Sequence, residues 1–248
     1  MTDVDINQSA AMLVSADHKP WHMPRLPHIN IPYFSLHTYS SPGRNSVEDY
    51  IRARFAEVHH AEIHHFLPKI ISLDCGTHHS AAVGLAPAES GPLFLEQYLK
   101  APVEQLISDA LNTDVSRNQI VEIGNLVSTY KGGSLLLFIV IGEVLERLGF
   151  RYVVFTGTRE VKMILARLHY FPTVITDAIP SALPDSGASW GSYYNHQPQV
   201  MFGDNQPPLE IARKNRLYRA TVKTIDGAIE RICADFRQTN AASSGAKA

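Results

Sequence analysis

Residues 119–155 leave the fewest architectures open to this chain. Residues 119–128 (QIVEIGNLVS) are rich in β-branched side chains and read as a strand. A polar, glycine-containing turn follows, Thr129-Tyr130-Lys131-Gly132-Gly133. Residues 134–148 open with an apolar run at 135–141 and continue with Val144, Leu145 and Leu148 at helical spacing. Gly149 stands where a glycine ends a helix. The predicted helix is roughly 22 Å long. It is apolar on most faces in its first half, so it has to be sandwiched inside the fold. Residues 151–156 (RYVVFT) are a second strand. Strand, turn, helix and strand make a βαβ unit, with parallel strands and a right-handed crossover. The fold class that follows is α/β.

The flanking segments fill out one domain. Residues 1–30, with Pro20, Pro24 and Pro27, read as an irregular arm. A helix is predicted over 47–66, with Tyr50, Ile51, Phe55, Val58 and Ile63 near helical spacing, Ser46 able to cap it and Pro68 ending it. Residues 69–75 and 80–85 pair as a hairpin around Gly76 and Thr77. Residues 94–110 are mainly helical, 160–168 an amphipathic helix and 172–176 a short strand. Residues 180–208 are rich in Pro, Gly, Ser and Asn around a strand at 199–202. A long helix is predicted over 209–236, with Ile211, Leu217, Val222, Ile225, Ile229 and Ile232 as its apolar stripe, and 241–248 form a disordered tail.

Composition excludes several function classes. The net charge of -2 and a pI near 6.6 lack the basic stripe of a nucleic-acid binder. Cys75 and Cys233 are far apart and form no CxxC, which favours a reducing, cytoplasmic compartment over a disulfide scaffold. No signal peptide is visible, and the longest apolar run, 135–141, is about a third of the ~20 residues that span a bilayer. No integral membrane segment is therefore expected. His60 and His64 would share a helix face, but the HExxH pattern is absent, Ala61 following His60, and no third ligand is evident from spacing; no metal is expected.

The turn at 129–133 opens the central helix, whose first N–H groups have no internal partners. With the helix dipole they make an anion site suited to a pyrophosphate or a phosphopantetheine phosphate. Gly132 and Gly133 let the backbone approach closely, and Lys131 can add a cation. The same turn can serve merely as a tight connection.

Several stretches, in order, carry a family resemblance: HAEIHHFLP, AAVGL, LFLEQYLKAPVE, Glu122-Ile-Gly-Asn-Leu-Val-Ser128, the glycine turn, RYVVFTGT and Trp190-Gly-Ser-Tyr-Tyr-Asn195. Over residues 46–203 the chain resembles the thermostable hemolysin family, which is in turn similar to the GNAT N-acyltransferases and the acyl-homoserine-lactone synthases. The resemblance implies a GNAT-like mixed sheet with splayed central strands, flanked by helices, over 31–203, with a C-terminal helical extension at 204–240. It implies an acyltransferase taking an acyl-CoA or a phosphopantetheine-linked acyl thioester as co-substrate. The acceptor would be a small amine or amino-acid derivative, and an acyl or peptidyl carrier protein would be a further partner. The donor would lie against Leu126, Val127, Thr129, Lys131, Gly132, Gly133 and Ser134.

Departures from the pattern are specific. Thr129, Gly132 and Ser134 occupy the three signature places of the GNAT turn, and only the glycine matches strictly. Thr158 and Leu165 stand where an Asn and a catalytic Tyr are usual. Glu122 matches the Glu of the lactone synthases, whereas Gly124 and Asn125 replace the residues that follow it there. Glu122 is the expected general base for the amine, directly or through water. N–H groups near Leu126–Ser128 would stabilise the oxyanion. Ser128 or Tyr130 would protonate the departing thiolate. Asn125, Trp190, Tyr193 and Tyr194 are the expected substrate pocket, aromatics offering large contact area. The alternative is a non-catalytic, membrane-active protein, as the family name suggests. The basic residues Arg213, Lys214, Arg216, Arg219 and Lys223 could then face a membrane or, in an enzyme, an acidic carrier; a solvated basic face serves neither.

Overall fold

A computed structural model describes residues 33–76, 78–129 and 133–245. The expected N-terminal arm, the tip of the turn at Tyr130, Lys131 and Gly132, and the last three residues lie outside them. Among the described residues, seven strands form one sheet: β1 (Tyr33–His37), β2 (Lys69–Cys75), β3 (His78–Pro87), β4 (Ile120–Ser128), β5 (Tyr152–Gly157), β6 (Thr173–Asp177) and β7 (Gln199–Asp204). Their order is β1-β2-β3-β4-β5-β7-β6. Only β4 and β5 are parallel, as the βαβ unit requires; every other neighbouring pair is antiparallel.

Helices cover both faces. On one lie α1 (Arg44–His59) and α2 (Val103–Leu111). Val47 and Ile51 of α1 pack on Ile70, Ala82 and Val127, and Val103 and Ile107 of α2 share a cluster with Ile120, Val154 and Phe202. On the other face lies α3 (Gly133–Leu148), between the sheet and the last helix. Leu137, Val140, Ile141, Val144 and Leu145 of α3 meet Val121, Val153 and Phe155 of the sheet, and Ile229, Ile232 and Phe236 behind them. That is the double-sided burial the apolar run called for. Two further helices, α4 (Arg159–Arg167) and α5 (Gln206–Lys214), precede α6 (Arg216–Gly245).

Tertiary contacts revise several boundaries. The first helix stops at His59 rather than near residue 66, because His60 turns left-handed (φ 52°) and residues 61–68 run on as an irregular segment. His60 and His64 therefore do not share a helix face. The predicted helix at 94–110 is a 3-10 turn, Phe94–Tyr98, followed by α2 after Pro102. The predicted C-terminal helix is broken at Asn215, whose Oδ1 accepts from the N–H groups of Leu217 (2.8 Å) and Tyr218 (3.3 Å) and so caps α6. Helix α6 then runs to Gly245, past residue 236 and into the segment expected as a disordered tail. Strand β1, on the sheet edge, carries no signal among the sequence patterns above.

Candidate active site

β4 and β5 pair only from Ile120↔Tyr152 to Ile123↔Phe155. Beyond that point they diverge, and a bulge on β4 drives the divergence. Ala82 pairs with Val127 but Gly84 pairs with Gly124, so β4 carries one residue more than β3 across this step. Asn125 sits in the bulge at φ 50°, a conformation Asn tolerates better than most residues. Its side chain locks the geometry: Oδ1 accepts from Leu67 N–H at 2.9 Å and Nδ2 donates to the His65 carbonyl at 3.2 Å. The irregular segment 61–68 is thereby tied to the opened edge. A Cβ on Gly84 would stand 2.9 Å from both Asn125 Oδ1 and Leu67 Cβ, so a glycine is what the close approach demands.

The wedge holds a cavity of about 460 Å³ that is lined from both faces of the sheet. Ile123 to Leu126 line one arm and Phe155 to Thr158 the other. On the α1/α2 side the walls are His59, His65, Phe94, Tyr98, Trp190 and Tyr193. On the α3 side they are mainly apolar, with Leu135, Phe138 and Ile139 of α3 facing Leu209 and Ala212 of α5, and Asn205, Asn215 and Tyr218 also in the wall. The cavity is thus polar and aromatic at one end and mainly apolar at the other.

Glu122 lies in the wall at the aromatic end, only 4% exposed. Its two oxygens accept from the N–H groups of Phe94 (2.8 Å) and Leu95 (3.1 Å), which open the 3-10 turn. Burial pushes the carboxyl up to about 8; the two N–H groups pull against that shift, and nearby Glu96 adds to it. A carboxylate has about four acceptor positions, so two remain after these bonds. The turn is itself clamped. Glu96 accepts from Leu93 N–H (2.7 Å) and Val103 N–H (3.1 Å), and Arg117 bridges Glu96 (2.8 Å) and Glu104 (2.5 Å) while donating to the carbonyls of Ala88 and Gly91. Arg117 and Glu96 were not among the sequence candidates. The repeated Glu and Arg of this stretch were visible, but not their convergence.

The aromatic end is one interlocked cluster. Trp190 contacts Phe55, Phe94, Tyr193 and Tyr194; His59 meets Tyr193 and His196 edge-on; His65 stacks on Phe94 at 4.4 Å. Tyr98 and Tyr194 share a 2.6 Å hydroxyl contact, and Tyr193 Oη reaches the Thr156 carbonyl at 3.4 Å on the β5 arm. Burial pushes the hydroxyls of Tyr98, Tyr193 and Tyr194 above their usual range. It lowers His59 to about 4, helped by His196, and lowers His65 as well, so His59 is a neutral ring at ordinary pH. Among the described residues, His59 Nδ1 and Tyr170 Oη are buried without a hydrogen-bond partner, and both residues line the cavity. Gly191, at φ 55°, turns this segment against α1: a Cβ there would lie 2.1 Å from the His59 carbonyl oxygen. That carbonyl accepts from Ser192 N–H at 2.8 Å.

The sequence candidates divide accordingly. Glu122, Asn125, Leu126, Trp190 and Tyr193 line the cavity, and Tyr194 stands behind Tyr98. Val127 points the other way, into the core beneath α1. Ser128 is buried, its Oγ 3.5 Å from the Ser80 carbonyl, and Thr129 bonds to that same carbonyl and to Tyr50; neither lines the cavity. Gly133 is the first residue of α3. Tyr130, Lys131, Gly132 and the side chain of Ser134 lie outside the described residues. Leu165, which the sequence register sets where GNAT enzymes usually have a tyrosine, lines the wall of the wedge with an aliphatic side chain. Arg213, counted in the basic face, is committed to buried Glu143 (2.9 Å), which also accepts from Tyr218 Oη. Among the described residues no group of three His, Cys, Asp or Glu side chains is placed to hold a metal, and no helix is long and apolar enough to cross a membrane.

The family model described as thermostable hemolysin matches residues 37–207. No curated protein matches the chain by sequence. Among solved structures, the chain resembles BjaI, a CoA-dependent acyl-homoserine lactone synthase solved with SAM and isopentyl-CoA. The TM-score is 0.52 and the identity 11%, over 81% of this chain and 98% of that one. It also resembles the AHL synthase LasI, with a TM-score of 0.50 and 9% identity, over 73% of this chain and 94% of that one. At such identity the likeness is one of fold, and the fold is the splayed α/β sheet that the sequence resemblance implied.

Proposed function

The chain belongs to the thermostable hemolysin family, and we propose that it is an N-acyltransferase moving an acyl group from a CoA or carrier-bound thioester to a small amine. The observation that carries this reading is the wedge cavity, with a buried carboxyl in its aromatic end and a mainly apolar wall at the other. The aliphatic end suits an acyl tail, held between α3 and α5. The aromatic end suits an organic amine: ring faces attract a cation, and Glu122 supplies the opposite charge when ionised. His59 Nδ1 and Tyr170 Oη, unpartnered among the described residues, offer hydrogen bonds to bound substrate.

In the proposed reaction the amine approaches the thioester carbonyl at the opened edge of β4. Beyond Ile123 that edge no longer pairs with β5, so its N–H groups on that side can face a developing oxyanion. Glu122 takes the proton the amine loses, directly or through water. The new C–N bond forms, the C–S bond breaks, and the sulfur leaves as thiolate. Tyr193, whose hydroxyl stands on the β5 arm, is better placed to protonate the thiolate than Ser128, which lies outside the cavity. The turn at 129–133 would hold the phosphates of the donor.

The test is turnover. Purified protein is incubated with a panel of acyl thioesters and amines while thiol release and product mass are followed. An acyl amide with stoichiometric thiol release is the expected outcome. No product with any pair, together with dye leakage from liposomes caused by the protein alone, would replace this reading with that of a membrane-active protein.

A further inference from the structure

A second constellation lies on the outer half of the sheet, away from the wedge. Asp74 of β2 and His79 of β3 stand directly opposite each other in the register of the hairpin. His79 Nδ1 is 2.5 Å from Asp74 Oδ1, and His79 Nε2 is 2.9 Å from Oγ of Ser46 in the first turn of α1. Three elements thus bring a hydroxyl, an imidazole and a carboxylate into line. Asp74 is 4% exposed and Ser46 is exposed.

The protons in this chain can be assigned. Ser72 Oγ donates to the other Asp74 oxygen at 2.9 Å. Ser72 has a single hydroxyl proton, so His37 Nε2, 2.9 Å from the same oxygen, must be the donor to it. Asp74, accepting a hydrogen bond from Ser72 on one oxygen, turns its other oxygen to His79, which fixes the His79 proton on Nδ1. The Nε2 lone pair is left to accept the Ser46 O–H. This is the tautomer a serine nucleophile needs. Ser46 also rides at the positive end of α1, whose first turn holds no acidic residue. None of Ser46, His79 and Asp74 lines the wedge cavity, so the proposed N-acyl transfer makes no use of them.

We propose that Ser46, His79 and Asp74 form a second catalytic site, a serine hydrolase centre acting on small, activated carboxylic esters. Ser46 Oγ bonds to the ester carbonyl carbon while its proton passes to His79 Nε2. The tetrahedral adduct collapses, the C–O bond to the leaving alcohol breaks, and His79 returns the proton to that oxygen. Water then attacks the acyl-serine, giving up a proton to His79. Collapse releases the carboxylic acid, and the proton on His79 restores the Ser46 hydroxyl. A surface-exposed nucleophile contributes little binding of its own, so the esters it turns over are those activated by a good leaving group.

Two measurements decide it. Full-length protein is treated with a fluorophosphonate probe and followed by intact mass and peptide mapping, and p-nitrophenyl acetate hydrolysis is followed in parallel. The expected result is a single adduct on Ser46. Ser46→Ala should lose the adduct and lower enzyme-dependent hydrolysis on the order of 10²-fold or more, as should His79→Gln. Ser46 is exposed, so Ser46→Ala should melt like the parent, and it keeps the test valid even if His79→Gln fails to fold. Absence of an adduct in the parent, an adduct on another residue, or unchanged hydrolysis in Ser46→Ala would each overturn the assignment.

Discussion

Glu122 is held by two backbone N–H groups while burial disfavours its charge. The balance pushes its carboxyl up to about 8, close to the value a general base needs near neutral pH. A base works only when deprotonated, so the acyl-transfer rate should rise as pH increases through about 8 and level off above it. Glu122→Gln should lower turnover by ~10²-fold or more and abolish that rising limb. A pH–rate profile of both proteins checks this, and an unchanged rate removes Glu122 from the role. Gln also presents an amide donor to one of the two N–H groups, so a melting curve must accompany the kinetics. Gly191 gives a purely structural prediction at this scale. Gly191→Ala puts a methyl group 2.1 Å from the His59 carbonyl oxygen in a left-handed backbone. A loss of about 3 kcal/mol is expected. Thermal unfolding should register it as a fall of roughly 6–12 °C, and an unaltered melting temperature would show that the two segments are not packed as described.

At the scale of elements, α3 serves as both core and channel wall. Its sheet-facing residues close the largest hydrophobic cluster, while Leu135, Phe138 and Ile139 face the cavity. Gly142 lines the cavity opposite α5, where an added Cβ would meet Leu209 Cδ1 at 3.5 Å, an ordinary contact. Gly142→Leu should therefore be accommodated in the fold but fill the aliphatic end. Thioesters with long acyl chains should lose roughly 10-fold or more in kcat/KM, about the effect of one or two methylenes' burial. Short-chain thioesters should be nearly unaffected. Chain-length profiles of the two proteins test this, and parallel profiles would place the acyl tail elsewhere.

For the molecule as a whole, the proposed chemistry supplies a route to membrane damage without insertion. Among the described residues no helix is suited to crossing a bilayer. A long-chain acyl amide of a polar amine, by contrast, is amphiphilic and can act as a surfactant. Dye-loaded liposomes should stay intact with the protein alone and leak once a long-chain thioester and an amine are added. Leakage by the protein alone at an equal rate would contradict that route. How much of this was legible in the sequence varies with the range of the interactions. The βαβ unit was, because hydrophobic period, turn glycines and strand propensity are local and all agree across residues 119–155. Glu122, Asn125 and the Trp190 segment were nominated by resemblance, and they do meet in one cavity.

What the sequence determined alone is this local grammar: two parallel strands, an apolar helix buried on both sides, and a polar turn between them. Tertiary structure decided the rest, because the deciding contacts join residues far apart in the chain. Helix α1 ends at His59, where His60 turns left-handed and the last carbonyl accepts from Ser192, more than a hundred residues away, a contact no local pattern records. Asn125 opens the sheet only because Leu67 and His65 are there to receive its side chain. Glu122 differs from a surface carboxylate only because Phe94 and Leu95 fold over it, under a clamp of Arg117 and Glu96. Hydrogen bonds and burial at such separations set the charge of a group, and with it the chemistry of the wedge.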